Sequence, residues 1–307
     1  MPKFRELKAS QIISSQQSNW MSRLKDLAIF FKLRLSVIVV LSAFLGYLMG
    51  AEVAVLSEIT ALILGGILLT GASNGFNQVW ERDIDGLMKR TAERPMPTGR
   101  MSVVQGILVA SLAGGSGVFI LWYFLNPIAG ILGVIAIFFY VFLYTPMKMH
   151  SPLAVFIGAF PGAIPPMLGY VAASSSFGVE PGILFAVQFM WQFPHFWAIA
   201  WVAHDDYAKA GYRLLPFRSG RTKRTAFQIV LYSLFLIPVS LLPWALPAES
   251  PMVGNIAAAV TFICGAVFAL LAFRLYKSLE LKDAKTLMFA SFIYLPIVQL
   301  IYVIDKI

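Results

Sequence analysis

Asn74 to Arg100 reads NGFNQVWERDIDGLMKRTAERPMPTGR, and it follows directly on an apolar run long enough to cross a bilayer. Glu81, Asp83, Asp85 and Glu93 are interleaved there with Arg82, Lys89, Arg90, Arg94 and Arg100. If the helix of the apolar run continues, Asn77, Glu81 and Asp85 recur every fourth residue, staying within roughly an 80° arc while climbing about 12 Å. They form one acidic stripe, and Asp83 points off it. Two carboxylates one turn apart beneath an amide oxygen are hard ligands suited to Mg²⁺, which keeps several waters and also takes a substrate phosphate. The basic residues that follow supply donors for further phosphate oxygens. A solvated, mixed-charge helix end is the plainer reading of such a run. Against it, Asn77 and Glu81 fall at membrane depth, where a carboxylate left unpaired costs about 2.5–3.5 kcal/mol on insertion scales.

Working outward, the 307 residues are 59 % hydrophobic and only 13 % charged, with a mean hydropathy of +0.76. Soluble domains carry about a quarter charged residues, so the chain reads as an integral membrane protein. Apolar runs lie at about Leu35–Ala51, Ile59–Val79, Val103–Leu125, Ile128–Met147, Leu153–Ala173, Gly182–Ala203, Ala226–Leu246, Met252–Phe273 and Thr286–Val303. Each suits a transmembrane helix and is too long and too uniformly apolar for a barrel strand. The expected fold is therefore all-α, a polytopic membrane helical bundle of about nine transmembrane helices. Residues 1–34 read as a cytoplasmic tail and interfacial lead-in, with Asp26 to Arg34 amphipathic, and residues 35–307 as one transmembrane domain. The tail lacks a small-residue cleavage site and carries Glu6 and Asp26, which argues against a signal or transit peptide and for a prokaryotic cell membrane.

The formal charge of +9 follows the membrane and not a nucleic-acid face. With the N-terminus inside, all of the 24 Lys and Arg residues except Lys306 fall on inner segments, as cytoplasmic loops require. Glu52, Glu58, Glu180 and Glu249 fall outside. One face of the bundle, the cytoplasmic one, is the working face. Cys264 stands alone in an apolar run, so no intrachain disulfide or cysteine metal site is available.

Three further stretches bear on that face. Span four ends Tyr140-Val-Phe-Leu-Tyr144-Thr-Pro-Met-Lys148, where Pro146 is expected to end the helix near Thr145. Lys148 beside Tyr144 is either a phosphate-binding pair or an aromatic belt with a snorkelling lysine. Span five contains Pro161, Pro165 and Pro166, which predict a kinked or opened helix that either shapes a deep pocket or permits close packing. Span six ends in Trp201-Val-Ala-His204-Asp205-Asp206-Tyr207, a second acidic pair on the same face. The two clusters suit two metal ions bridged by one diphosphate; a helix-end turn is the alternative for Asp205 and Asp206. His195, two turns deeper, is either a hydrogen-bonded packing residue or a contact to an acceptor or iron, and His204 and His150 lie nearer the surface. Neither HExxH nor a P-loop pattern is present, which excludes zinc-protease and ATP-driven readings.

With both clusters and their order in view, the sequence resembles the UbiA superfamily of intramembrane prenyltransferases. Asn77-Gln-Val-Trp-Glu81-Arg-Asp-Ile-Asp85 is similar to its first aspartate-rich motif with Glu in place of one Asp, and Met88-Lys-Arg90-Thr91-Ala-Glu-Arg94-Pro95 continues the match. Tyr144-Thr-Pro with Lys148, Gly162-Ala-Ile-Pro165-Pro166, and Phe196-Trp197 leading to Asp206-Tyr207 and Leu215-Pro216 are most similar to the branch that farnesylates protohaem IX. Two departures stand out: Asp205 and Asp206 are adjacent where many members have Asp-x-x-x-Asp, and His150 stands near where an arginine is common. The resemblance implies farnesyl transfer from farnesyl diphosphate to the vinyl group of haem B, with water addition, giving haem O and diphosphate. It implies Mg²⁺ held by Asn77, Glu81, Asp85 and Asp206, with Asp205 a further candidate ligand. Arg90, Arg94 and Lys148 would contact the diphosphate, Tyr144 would face the allylic cation, and His195 and His204 are candidate haem contacts. Expected partners are the two substrates, the lipid bilayer and a downstream haem-modifying enzyme or oxidase assembly factor, with no nucleic acid. The expected location is the cell inner membrane. A UbiA-type enzyme with an aromatic or lipid acceptor and a secondary transporter are the competing readings.

Overall fold

The computed structural model describes residues 20–246 and 250–307; the cytoplasmic tail expected before residue 20, and Glu249, lie outside the described residues. Residues 20–30 are helical (α1). The helices that follow are α2 (Leu33–Gly50), α3 (Leu56–Asp85), α4 (Val103–Phe124), α5 (Pro127–Met147), α6 (Ala154–Ser174), α7 (Val179–Val202), the short α8 (His204–Lys209), α9 (Lys223–Ala245), α10 (Asn255–Ser278) and α11 (Leu281–Ile304). Among the described residues nine of these are long and apolar enough to cross a membrane, all but α1 and α8. The chain is a multi-pass, all-helical membrane protein. Helix starts follow local chemistry: Ser102 and Gln105 form a reciprocal capping box at α4, and Asn126 caps α5 with Pro127 at its first position, where a missing N–H costs nothing.

The spans close into a ring. Each packs on its neighbour in sequence, α7 also meets α11, and α11 returns to α2. At the end of the ring where α2 ends, Lys306 Nζ donates to the Leu48 and Ala51 carbonyls at 3.1 and 2.6 Å. The end of the last span therefore meets the end of the first, as an odd number of crossings demands. One apolar core fills α2–α6 and a second lies mainly among α7–α11. Across the seam, Ser42 Oγ donates to Gln188 Oε1 (2.7 Å), and Gln299 Nε2 donates to both at 2.8 and 2.9 Å.

Two expectations are corrected. The helix of span four runs through Pro146 to Met147, because Phe139–Tyr144 is wound as a π-turn and the Thr145 N–H reaches back to Tyr140 instead of Val141. The widened turn relieves the clash a proline ring makes with the carbonyl four residues back. Span five, for which an opened helix is one of the expected outcomes, runs as one continuous helix through Pro161, Pro165 and Pro166. The Gly162 carbonyl, which loses its helical donor because residue 166 is proline, accepts instead from Gln188 Nε2 at 2.6 Å, and Gln192 Nε2 reaches the Ala159 carbonyl at 2.9 Å. In lipid every backbone polar group needs such an internal partner. Close packing is what this helix provides: a methyl added at Gly46 or Gly169 would overlap the backbone carbonyl of Pro166 or Ala43 across the α2–α6 contact. Small residues allow that approach where no water is present to drive burial.

Candidate active site

The acidic stripe is real helix. α3 extends to Asp85, six residues beyond its apolar stretch, and Asn77, Glu81 and Asp85 are all buried on one side of it. They face a cavity of about 120 Å³ at the end of the bundle where α3 terminates, the room of about four waters. Lys148, carried past Pro146 by the π-turn, places Nζ 2.5 Å from Glu81 Oε1 and 4.8 Å from the centre of the Tyr144 ring. Arg94 Nη1 donates to Asp85 Oδ2 at 2.7 Å. Asn77 Nδ2 donates to Thr145 Oγ1 at 3.2 Å, and its Oδ1 accepts from Lys32 Nζ at 3.3 Å. Arg90 lies 5.7 Å from the Tyr207 ring at the cavity wall. Four cations and two carboxylates thus line one small space, an excess of positive charge that calls for an anion.

The segment after α3 folds over this space because its own side chains satisfy it. Thr91 Oγ1 donates to the Asp85 carbonyl at 2.7 Å. Met88 packs with Ala210 and Tyr212 from the loop after α8, so the two charged loops of the inner face form one lid-like layer. Burial and the nearby Glu81 hold the Tyr212 phenol above its usual pKa. Burial, followed by the charges of Arg94 and Lys148, pushes the Lys32 ammonium down to about 7.

The second acidic pair arrives on the same face but does not line the cavity. Asp205 is 79 % exposed and pairs with Arg221 at 3.1 Å. Asp206 is 23 % exposed and accepts the Lys89 N–H at 3.3 Å. It thereby ties α8 to the loop that carries Arg90 and Arg94. Adjacent residues at a helix start diverge by about 100°, so the two carboxylates cannot face one point. Asp83 points away from the stripe, 82 % exposed and beside Arg82. Among the described residues no three acids, histidines or cysteines cluster as a metal site. The oxygen donors of the first cluster nevertheless fit Mg²⁺: Asp85 Oδ1 is buried without a hydrogen-bond donor, Glu81 has one cation partner, and Mg²⁺ takes its remaining ligands from water and phosphate.

Neither histidine lines the cavity. His195 is buried between α7 and α11, its Nδ1 2.7 Å from Ser291 Oγ and its ring stacked on Trp191. His204 lies against Gly220. Sequence reasoning counted Lys32 only as an interfacial charge. Its signal was a lone cation inside the apolar run Phe30-Phe31-Lys32-Leu33, whose direction only the fold reveals. Tyr212 and Leu214 in the cavity wall gave no signal at all.

The sequence profile of the UbiA prenyltransferase family matches residues 39–294. A protein of Christiangramia forsetii named "Protoheme IX farnesyltransferase" is 47 % identical over 285 residues, covering 93 % of this chain and 94 % of the relative. One of the same name from Cytophaga hutchinsonii is 46 % identical, covering 90 % and 96 %. Among solved structures, a digeranylgeranylglyceryl phosphate synthase superposes with a TM-score of 0.75 at 19 % identity, covering 92 % of this chain and 98 % of that one. A UbiA homolog from Archaeoglobus fulgidus bound to GPP and Mg²⁺ gives a TM-score of 0.69 at 14 % identity, covering 91 % and 99 %.

Proposed function

The chain belongs to the UbiA prenyltransferase family, and from that membership we propose that it moves a farnesyl group from farnesyl diphosphate to the vinyl group of haem B. Water then adds, giving haem O and diphosphate. The acceptor is carried by one observation: the near full-length identity of 47 % to a relative named for that reaction. The donor is carried by the cavity, whose charge balance and size suit a diphosphate.

In this reading Lys148, Arg94 and Arg90 receive the diphosphate oxygens, giving charge-assisted hydrogen bonds of the strong kind. Asn77, Glu81 and Asp85 would hold Mg²⁺, which supplies positive charge to the departing diphosphate. The allylic C–O bond breaks with its electron pair leaving on the diphosphate, and a farnesyl cation remains. The face of Tyr144, already under the Lys148 ammonium, stands where a ring attracts a cation. The terminal vinyl carbon of haem bonds to the farnesyl carbon, the resulting cation beside the pyrrole takes a water oxygen, and a proton is released. Asp206 acts through the Lys89 N–H as a positioning residue for the loop that bears the arginines. No step is assigned to Asp205, His195 or His204. The apolar bundle takes the isoprenoid chain and delays water until capture.

The Lys and Arg distribution supports a cytoplasmic orientation for this site; in this reading the membrane is a cell inner membrane, and product haem would pass to a haem-modifying enzyme or oxidase assembly factor. Incubating the purified protein with farnesyl diphosphate, haem B and Mg²⁺ tests the reading. Haem O is the expected mass-spectrometric product, lost when the metal is chelated. Release of diphosphate with an aromatic or lipid acceptor, and none with haem, would overturn it.

A further inference from the structure

Of the four cations at the cavity, Lys148 is engaged by Glu81, Arg94 by Asp85, and Arg90 leans on Tyr207. Lys32 differs from the two paired cations. Among the described residues no carboxylate pairs with it, and its single side-chain hydrogen bond is the 3.3 Å contact to Asn77 Oδ1. A lysine at a membrane boundary ordinarily extends toward headgroups and water; this one turns inward, toward a space that already holds Lys148 and Arg94.

The backbone is bent to do it. Lys32 sits between α1 and α2 with φ 45° and ψ 52°, the left-handed region that a residue with a Cβ rarely adopts. Three side chains hold the bend. Gln78 Nε2 donates to the carbonyls of Ile29 and Phe30 at 3.0 and 2.8 Å. Asn74 Nδ2 and Ser36 Oγ both donate to the Phe31 carbonyl, at 3.4 and 2.9 Å. Gln78 and Asn74 flank Asn77 on α3, so the helix that carries the acidic stripe also fixes the turn that delivers Lys32 beside it. Strain kept in place by dedicated partners marks a position where the side chain's direction matters.

Building on the farnesyl-transfer reading, we propose that Lys32 is a diphosphate-binding residue of the donor site, its ammonium bonding a non-bridging phosphate oxygen next to Asn77, with Asn74 and Gln78 as the positioning residues that aim it. Unlike Lys148 and Arg94, the Lys32 ammonium shares its charge with no carboxylate, so the arriving anion gains it undivided.

Calorimetric titration of the full-length, detergent-purified chain with inorganic pyrophosphate and Mg²⁺ tests this. Lys32→Met removes the amine, Lys32→Gly removes it and also relieves the left-handed strain, and Lys32→Arg keeps the charge. Both amine-deleting variants are expected to bind pyrophosphate roughly 10–100-fold more weakly, the worth of one hydrogen bond to a charged group, whereas Lys32→Arg stays within a few-fold. KM for farnesyl diphosphate should rise in parallel while KM for haem B does not, and Gln78→Leu should reproduce part of the loss. Melting temperatures of the glycine and methionine variants separate lost binding from lost fold. Unchanged pyrophosphate affinity in both deletions overturns the assignment. So does a rise in KM for haem B alone, which would give Lys32 to the acceptor's carboxylates. A wild-type chain that binds pyrophosphate but makes no haem O would instead refute the acceptor while leaving Lys32 to be judged on its own titration.

Discussion

At the scale of single residues, the cavity is held together by charges that oppose one another, and this sets what substitutions do. Glu81 and Lys148 are both nearly excluded from solvent, with 5 % and 9 % of their side chains exposed. Removing one partner of such a pair strands the other, at a cost of about 3–5 kcal/mol, whereas replacing both is far milder. Glu81→Gln and Lys148→Met are therefore each expected to lower the melting temperature clearly, and the double variant to recover most of that loss. All three should lose turnover by about 100-fold or more, since each removes a charge that serves the leaving group. Thermal melts run beside activity assays check this; singles as stable as the wild type would mean that the pair is solvated after all. Periodicity made Asn77, Glu81 and Asp85 legible as one stripe, and they do share one wall. Asp205 and Asp206 were legible as acids on the correct face, but their direction depended on Arg221 and on the Lys89 N–H, partners remote in sequence.

At the scale of elements, two helices look broken in sequence and are whole in space. For α5 the compensation is local: a π-turn beginning at Phe139 absorbs Pro146 and carries the helix on to Lys148. For α6 it comes from a neighbour, since Gln188 of α7 replaces the donor that Pro166 lacks. Gln188 also meets Ser42 and Gln299, so Gln188→Leu leaves several buried groups unpaired and should cost about 1–3 kcal/mol. Restoring an N–H with Pro166→Ala in the same chain should recover part of that loss. A double variant no more stable than Gln188→Leu would show that the glutamine does not serve the proline gap. For α6, proline content alone could not distinguish a continuous helix from an opened one, because the rescuing amides lie on a different helix.

At the scale of the whole molecule, the single crossing of α7 puts the loop between α6 and α7 opposite the loop between α8 and α9. Ser176 and Ser219 are exposed in those loops. In a Cys264→Ser background, Ser176→Cys should react with a membrane-impermeant thiol reagent from outside intact cells, and Ser219→Cys only after the cells are opened. Labelling of both from one side would invalidate the ring and the proposed cytoplasmic placement of its site together. The sequence by itself determined the membrane class, the number of spans and the first acidic stripe, because hydropathy and a four-residue period are local quantities. Only the tertiary structure decided that Lys32 turns inward, that Asp205 turns out, that His195 is engaged by Ser291, and that three prolines leave α6 whole. Each of those depends on which groups from distant stretches meet, and in a medium without water such meetings alone determine where a polar atom can point.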